Sequence, residues 1–265
     1  MQEETKNIYL WFRKMSFMRY ILLPFYYLWK IYFGLIFLVT LLLFYPILLF
    51  FILSENLKKY TFNINIIWSR CVRILCFYAV HKIGEETDSK VAKVVVANHT
   101  SYLDIFLLYS IFPEHRFLFI GKSEILSYPL IKTFFKQFNI PVDRSSKVKS
   151  ARAFIKARRE LINDWSIVIF PEGGIPVDAP RLSTFKDGAF QLAKSSAVSI
   201  QPITFENNFY LLSDPEIPRG FARPGLLRVH VHPLISAKEV QQNETAVTKE
   251  KIYQMIRSAL PKKFR

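Results

Sequence analysis

The stretch NHTSYLD, Asn98–Asp104, lies between two short apolar segments. The preceding run, VVVA at 94–97, predicts a buried strand, and the following IFLL at 105–108 predicts the apolar side of a helix. Ser101 and Asp104 have the spacing of a capping box, which marks the start of that helix. His99 then falls in the turn, where Asp104 can reach back to one ring nitrogen and leave the other as an acceptor. The pattern predicts a general base, His99, with Asp104 as its orienting group.

This stretch also has a purely structural interpretation. A histidine at a strand end is often a satisfied structural residue, and an aspartate in a first helical turn is often only a cap. The rest of the chain decides between the two interpretations.

Composition and charge favour a protein that contacts a membrane. The 265 residues are 51% hydrophobic and 16% aromatic, and the formal net charge is +15. Because the apolar excess is concentrated near the N-terminus, an anionic lipid surface fits better than nucleic acid. Cys71 and Cys76 match no zinc or redox spacing, so we expect no disulfide framework and a domain facing the reducing cytoplasm.

The apolar excess lies mainly in residues 31–53, which carry no charge. As a helix this segment is about 34 Å long, enough to cross the hydrocarbon core. Basic residues flank both ends, so the positive-inside rule gives no orientation. A single span, a re-entrant hairpin and a buried helix of a soluble domain all stay open. The preceding residues 1–19 predict either an amphipathic interfacial helix or a frayed basic leader.

After a helix predicted over 64–80 and a polar turn over 85–90, short apolar segments alternate with amphipathic ones. Strands are predicted over 93–97, 117–120, 139–142, 166–170, 198–204 and 226–231. Helices are predicted over 102–111, 123–137, 146–163, 186–196 and 245–260. This alternation predicts an α/β fold with a mixed, largely parallel sheet flanked by helices. We divide the chain into an N-terminal membrane-anchoring helical region, 1–85, and a folded domain, 86–265.

Two more polar clusters follow predicted strands, at the edge where open α/β sheets bind ligands. Glu172 and Gly173 belong to the sequence FPEGG at 170–174, where glycine lets the backbone approach a ligand. The alternative is a tight turn with a solvated glutamate. Arg144, in PVDRSS at 141–146, can bind a phosphate through two nitrogens. The alternative for Arg144 is an ordinary ion pair.

Together these clusters resemble the glycerolipid acyltransferases of the 1-acyl-sn-glycerol-3-phosphate (lysophosphatidic acid) acyltransferase superfamily, over roughly residues 90–235. The matching motifs are His99 with Asp104, PVDR at 141–144, FPEG at 170–173 and IQPI at 200–203. The resemblance implies a membrane-bound enzyme that transfers a fatty acyl group from acyl-CoA or acyl carrier protein to a lysophospholipid hydroxyl. The foremost acceptor would be 1-acyl-sn-glycerol-3-phosphate.

The resemblance also assigns roles to single residues. His99 and Asp104 would be catalytic, and Arg144, Glu172 and Gly173 would bind substrate. No cofactor and no metal are expected, the partners would be membrane lipids and the acyl donor but no nucleic acid, and the catalytic domain would lie on the cytoplasmic side.

One departure from the family pattern bears on the acceptor. The third motif usually continues with Thr and Arg, and here Gly174 and Ile175 stand in those places. A lyso-aminolipid or another lysolipid is therefore an alternative acceptor, and a non-catalytic lipid-binding protein on the same fold is an alternative of another class. Arg144 remains to bind a phosphate, and Lys186 or Arg181 are the candidates to substitute for the missing groups. His230 and His232 share one face of a strand, but no third metal ligand is evident.

Overall fold

The computed structural model describes residues 17–53, 57–84, 91–143, 145–214, 217 and 219–265. Most of the interfacial helix predicted over 1–19 lies outside these ranges, and so does the polar turn at 85–90. Arg144 also lies outside them.

Two helices precede the sheet. The first, α1 (Phe17–Ile52), contains Pro24 and Pro46. The second, α2, covers Lys58–Leu75. Residues 21–52 of α1 are long and apolar enough to cross a membrane. One face of α1 packs on α2 and, through Tyr26 and Phe221, on the folded domain. Tyr26, Leu41 and Leu48 on this face are buried. The opposite face exposes a row of large apolar side chains: Ile21, Phe25, Leu28, Ile31, Leu35, Leu38, Leu42, Leu43, Ile47 and Phe50.

Seven strands form the sheet. They are β1 (Tyr78–Ile83), β2 (Val94–Ala97), β3 (Phe117–Lys122), β4 (Ile140–Val142), β5 (Ser166–Ile169), β6 (Ile200–Phe205) and β7 (Gly225–Val231). Their order is β1-β7-β6-β2-β5-β3-β4. The β6–β7 pair is antiparallel and the remaining neighbours are parallel, which confirms the predicted mixed, largely parallel sheet.

The helices follow the predicted positions with some changes. They are α3 (Leu103–Phe106), α4 (Leu108–Ile111), α5 (Pro129–Phe138), α6 (Lys147–Ile162), α7 (Gly188–Ser196), α8 (Asn208–Leu211), α9 (Ala237–Gln242) and α10 (Thr245–Ala259). The helix predicted over 102–111 is split in two, and a 3-10 turn at Ser123–Ser127 precedes α5. The sequence reasoning missed α8 and α9.

The helix predicted over 64–80 is wrong at its C-terminal end. The helix α2 stops at Leu75, Phe77 takes a left-handed φ of 52°, and the chain continues as β1. Each residue of β1 pairs with a residue of β7, so long-range strand pairing overrides the local helical spacing of apolar residues. The edge strand β1 therefore lies before residue 86, in the region that was assigned to the membrane anchor.

The sheet brings the predicted polar clusters to one edge. Strands β6, β2, β5, β3 and β4 run in the same direction, so their carboxyl ends lie side by side. The segments that follow β2, β5 and β4 contain the first, third and second motifs. Because loops at this edge are supported by buried strands such as β2, side chains there are held in fixed positions.

Candidate active site

The predicted pair of His99 and Asp104 is formed in the turn after β2. His99 Nδ1 lies 3.0 Å from Asp104 Oδ2, and the Asp104 side chain is fully buried. The backbone N–H groups of Thr100 and Ser101 donate to the same oxygen at 2.6 and 2.9 Å. Ser101 Oγ accepts the N–H of Leu103 at 3.1 Å. One half of the predicted capping box is present, because the Asp104 carboxylate accepts the Ser101 N–H. The other half is wrong, because Ser101 Oγ does not accept the Asp104 N–H and the helix begins at Leu103 with Tyr102 as its N-cap. The bonds that do form aim the carboxylate at the imidazole.

The surroundings of His99 suit a general base. Its ring stacks on Phe170, with centroids 4.1 Å apart and planes 17° apart, and 9% of its side chain is exposed. Asp104 favours the tautomer with the proton on Nδ1, which leaves a lone pair on Nε2. Across the described ranges, Nε2 makes no hydrogen bond. The ring is therefore held in place with one nitrogen available to accept a proton.

Two asparagines fix the position of this turn. The Asn98 side chain donates to the carbonyl of Phe205 at 3.0 Å and accepts the N–H of Phe205 at 2.8 Å, which joins the turn to the end of β6. The Asn208 amide donates to Asp104 Oδ1. Sequence reasoning missed Asn208, because 104 positions separate it from Asp104 and no local pattern marks it.

Glu172, the acid of the third motif, uses both carboxyl oxygens locally. Its Oε1 accepts the backbone N–H of His99 and its Oε2 accepts that of Ser183, both at 2.8 Å. Burial raises the pKa of Glu172 to about 8, although the two backbone N–H groups act in the opposite direction. In this structure Glu172 joins the turn that holds His99 to the segment around Ser183, and its contact with substrate stays a prediction.

Gly173 makes the sharp turn after Glu172. Its φ is 89°, a region that glycine enters without steric cost, and its N–H donates to the Phe170 carbonyl at 3.0 Å. The glycine is therefore required by the turn itself. A contact between Gly173 and a substrate stays a prediction.

A lysine that the sequence reasoning did not select lies beside the third motif. Lys122, the exposed last residue of β3, places Nζ 3.7 Å from the position that a Cβ on Gly174 would occupy. Among the described residues, the Lys122 ammonium has no ion-pair partner. The available signal was a lysine shortly after the strand predicted over 117–120. The site thus has a cation beside the positions where the usual Thr and Arg are absent.

The second motif is described apart from Arg144. Asp143, its neighbour, accepts from Lys149 Nζ at 2.8 Å and from the Ser145 hydroxyl at 2.6 Å. These hydrogen bonds, with that from Lys149 the strongest influence, lower the pKa of Asp143. Because Asp143 has these partners, an ion pair with Arg144 is not needed to neutralise it. The role of Arg144 stays a prediction.

The two histidines of β7 form local contacts. His230 Nε2 lies 2.8 Å from Glu206 Oε2, and His232 Nε2 lies 2.8 Å from Thr204 Oγ1. Burial lowers the pKa of His232 to about 4. No group of three possible metal ligands occurs among the residues that the structure describes.

Comparisons with known proteins agree with this geometry. The Acyltransferase family profile matches residues 79–206. A 1-acyl-sn-glycerol-3-phosphate acyltransferase of Chlamydomonas reinhardtii is 29% identical over 77% of this chain and 60% of its own length. The chloroplastic enzyme LPAT1 of Arabidopsis thaliana, named for the same activity, is 31% identical over 71% of this chain and 52% of its own length. The chain thus spans little more than half the length of these relatives.

A solved structure shows the same fold. The crystal structure of PlsC from Thermotoga maritima, a 1-acyl-sn-glycerophosphate acyltransferase, superposes with a TM-score of 0.72 at 21% identity. The match covers 91% of this chain and 96% of that one. With the dyad, the turn of the third motif and the sequence relatives in agreement, the chain is similar to the 1-acyl-sn-glycerol-3-phosphate acyltransferase superfamily.

Proposed function

We propose that the protein is a membrane-bound acyltransferase that acylates the hydroxyl group of 1-acyl-sn-glycerol-3-phosphate and so produces phosphatidic acid. The observation that carries this proposal is the 3.0 Å contact between His99 Nδ1 and the buried Asp104 carboxylate. The names of the curated relatives support the same reaction.

His99 acts as the general base in this reaction. Asp104 keeps the proton on Nδ1, and Nε2 takes the proton of the acceptor hydroxyl as its oxygen attacks the thioester carbonyl. The tetrahedral intermediate collapses, the carbon–sulfur bond breaks, and the imidazolium returns its proton to the departing thiolate. General base catalysis of this kind contributes about 10²–10⁴-fold to the rate. The remainder comes from positioning the two substrates and stabilising the oxyanion.

The acyl donor is a thioester, either acyl-CoA or acyl carrier protein. The dyad performs the same chemistry with both, because each presents a thioester carbonyl and releases a thiolate. The mechanism needs no cofactor beyond this co-substrate.

Lys122 supports an acceptor that carries a phosphate. It ends β3, at the sheet edge that holds His99. Lys122 Nζ also lies beside Gly174, where the family places side chains that this chain lacks. A lyso-aminolipid is the second candidate acceptor, and the observation that favours it is the presence of Gly174 and Ile175.

The exposed face of α1 supports contact with the membrane. Because Tyr26 and Phe37 of α1 contact Phe221 and Phe106 of the folded domain, α1 lies beside the catalytic domain rather than extending away from it. We infer that its other, apolar face contacts lipid. The free thiols of Cys71 and Cys76 support a catalytic domain on the cytoplasmic side.

The experiment is an assay of the detergent-purified protein with labelled palmitoyl-CoA and two acceptors. Lysophosphatidic acid and monoacylglycerol differ in the phosphate group. We expect transfer to lysophosphatidic acid, and we expect Lys122→Ala to raise its KM. Lys136→Ala, which removes an exposed lysine of α5, is the matched control and should leave KM unchanged.

Three other outcomes would each support a different acceptor, donor or function. Transfer to monoacylglycerol alone favours the phosphate-free acceptor. If transfer occurs only with acyl carrier protein, that protein is the donor. If neither donor supports transfer while lipid binding persists, the protein is a lipid-binding member of the superfamily.

A further inference from the structure

One hydrogen bond to Asp104 comes from outside the catalytic turn. Oδ2 accepts from His99, Thr100 and Ser101, whereas Oδ1 accepts from the Asn208 amide. We propose that Asn208 is a positioning residue, which fixes the Asp104 carboxylate and, through it, the His99 imidazole. This inference rests on the proposed function of the dyad.

The need for Asn208 follows from the burial of the carboxylate. Asp104 and Asn208 are both 0% exposed. In the described part of the chain, Asn208 is the donor to Oδ1. Without it, a buried oxygen of an acceptor-only group would lack a donor, so the carboxylate would rotate or take up a proton. Either change weakens the contact with His99 Nδ1.

Asn208 is itself held against the catalytic turn. It begins the short helix α8, directly beyond β6, and its carbonyl accepts the N–H of Leu212 at 2.9 Å. The Leu212 carbonyl in turn accepts the Ser101 hydroxyl at 2.6 Å. The segment after β6 therefore contacts the residues around His99 at both Asp104 and Ser101.

The neighbouring residue provides a matched control. Asn207 accepts the N–H of Arg228 at 2.9 Å and donates to the Leu226 carbonyl at 2.8 Å. These bonds hold the same loop, but no hydrogen bond joins Asn207 to the dyad within the described ranges. A role limited to loop structure would make the two asparagines equivalent, whereas a positioning role affects only Asn208.

The first test compares Asn208→Leu, which keeps the approximate volume without the donor, with Asn207→Ala. We expect Asn208→Leu to lower kcat about 10–100-fold, by analogy with residues that orient the side-chain ligands of metal sites, with KM for lysophosphatidic acid unchanged. Asn207→Ala should keep kcat within about twofold, because it leaves the dyad contacts intact. Equal losses of kcat in folded samples of both variants would overturn the proposal.

The second test uses Asn208→Asp and the pH profile of kcat. Two facing buried carboxyl groups share a proton, and their repulsion raises an apparent pKa. While that proton is present, the introduced carboxyl group can donate to Asp104 Oδ1 and preserve activity. Once it is lost at higher pH, activity should fall where the unmodified protein stays on its plateau. A profile of unchanged shape would contradict the positioning role.

The third test does not depend on acyl transfer. In protein labelled with ¹⁵N-histidine, the Nδ1–H signal of His99 is identified by its loss in His99→Ala. We expect this signal to persist in Asn207→Ala and to be lost by solvent exchange in Asn208→Leu. If the signals behave this way but no donor supports transfer, the proposed function fails and the inference stands. An unchanged signal in Asn208→Leu overturns the inference.

Discussion

Glu172 uses its two carboxyl oxygens to join separate segments, one at His99 and the other at Ser183. Glu172→Gln replaces one carboxyl oxygen, which accepts a hydrogen bond, with an NH2 group. This group cannot accept the backbone N–H that it faces. We expect the variant to lose about 1–3 kcal/mol of unfolding free energy, the cost of an unsatisfied buried polar group. Thermal unfolding measures the loss, and Glu250→Gln, at an exposed position of α10, serves as the control. Equal stability of both variants would contradict this role.

The raised pKa of Glu172 also predicts a dependence of stability on pH. Its folded-state pKa of about 8 lies above the ordinary value of 4.5, so between these values the folded protein keeps a proton that the unfolded chain has lost. The unfolding free energy therefore falls as pH rises through this window. Glu172→Gln removes this dependence, so the stability difference between the two proteins should shrink from pH 5 to about pH 8. A constant difference would exclude the raised pKa.

Gly173 carries a second stability prediction at the residue scale. Gly173→Ala would place a Cβ on a backbone with a φ of 89°, which costs about 1–2 kcal/mol. The expected result is a lower midpoint of unfolding and a reduced kcat, since the turn carries Glu172 and Phe170. Gly188→Ala, where a Cβ meets open space in α7, is the control and should not destabilise the protein. Loss of stability in the control alone would contradict the account.

At the scale of single residues, the sequence predicts contacts between residues that are close along the chain. His99 and Asp104 were predicted because a capping box and a strand end lie within one short stretch. Asn208 and Ser183 were not predicted. They lie at the site only because distant strands pair and the loops after those strands meet. Lys122 required knowledge that β3 lies directly beside β5 in the sheet.

At the scale of elements, α1 separates two kinds of apolar contact. Leu48 is 1% exposed and belongs to the hydrophobic core, whereas Leu43 is 67% exposed on the face that we assign to lipid. We expect Leu48→Ala to lower the unfolding free energy by about 2–5 kcal/mol without changing vesicle binding. Leu43→Ala should leave stability in solution unchanged and weaken binding to vesicles several-fold. The reverse pattern would mean that the buried and lipid-facing sides are wrongly assigned.

Most elements were predictable because their apolar periodicity is strong. The six predicted strands all form, within a few residues of the predicted limits. The strand β1 was missed because its edge position leaves residues such as His81 and Lys82 exposed, so it lacks a strong apolar pattern. Its existence depends on β7, which lies far along the chain.

At the scale of the whole molecule, the net charge of +15 and the apolar face of α1 act together. Anionic lipid should therefore bind the protein more tightly than neutral lipid, and the difference should decrease as salt screens the charges. Sedimentation with phosphatidylglycerol and phosphatidylcholine vesicles at low and high salt measures this. Equal binding to both lipids at low salt would assign membrane contact to the apolar face alone.

The order of the strands is a property of the whole molecule that sequence patterns did not provide. Periodicity indicates which segments are strands, but neighbours such as β2 and β6 are joined by contacts between residues about a hundred positions apart. This order places His99, Glu172 and Lys122 at one edge, and the assembled site depends on it.

The central claim is that His99 is the base for acyl transfer, and the most direct measurement is kcat for His99→Ala with palmitoyl-CoA and lysophosphatidic acid. Binding of lysophosphatidic acid to the same preparation shows that the fold is intact. The account predicts that kcat falls by about 10²–10⁴-fold while binding is retained. A folded variant that keeps the full kcat would contradict it.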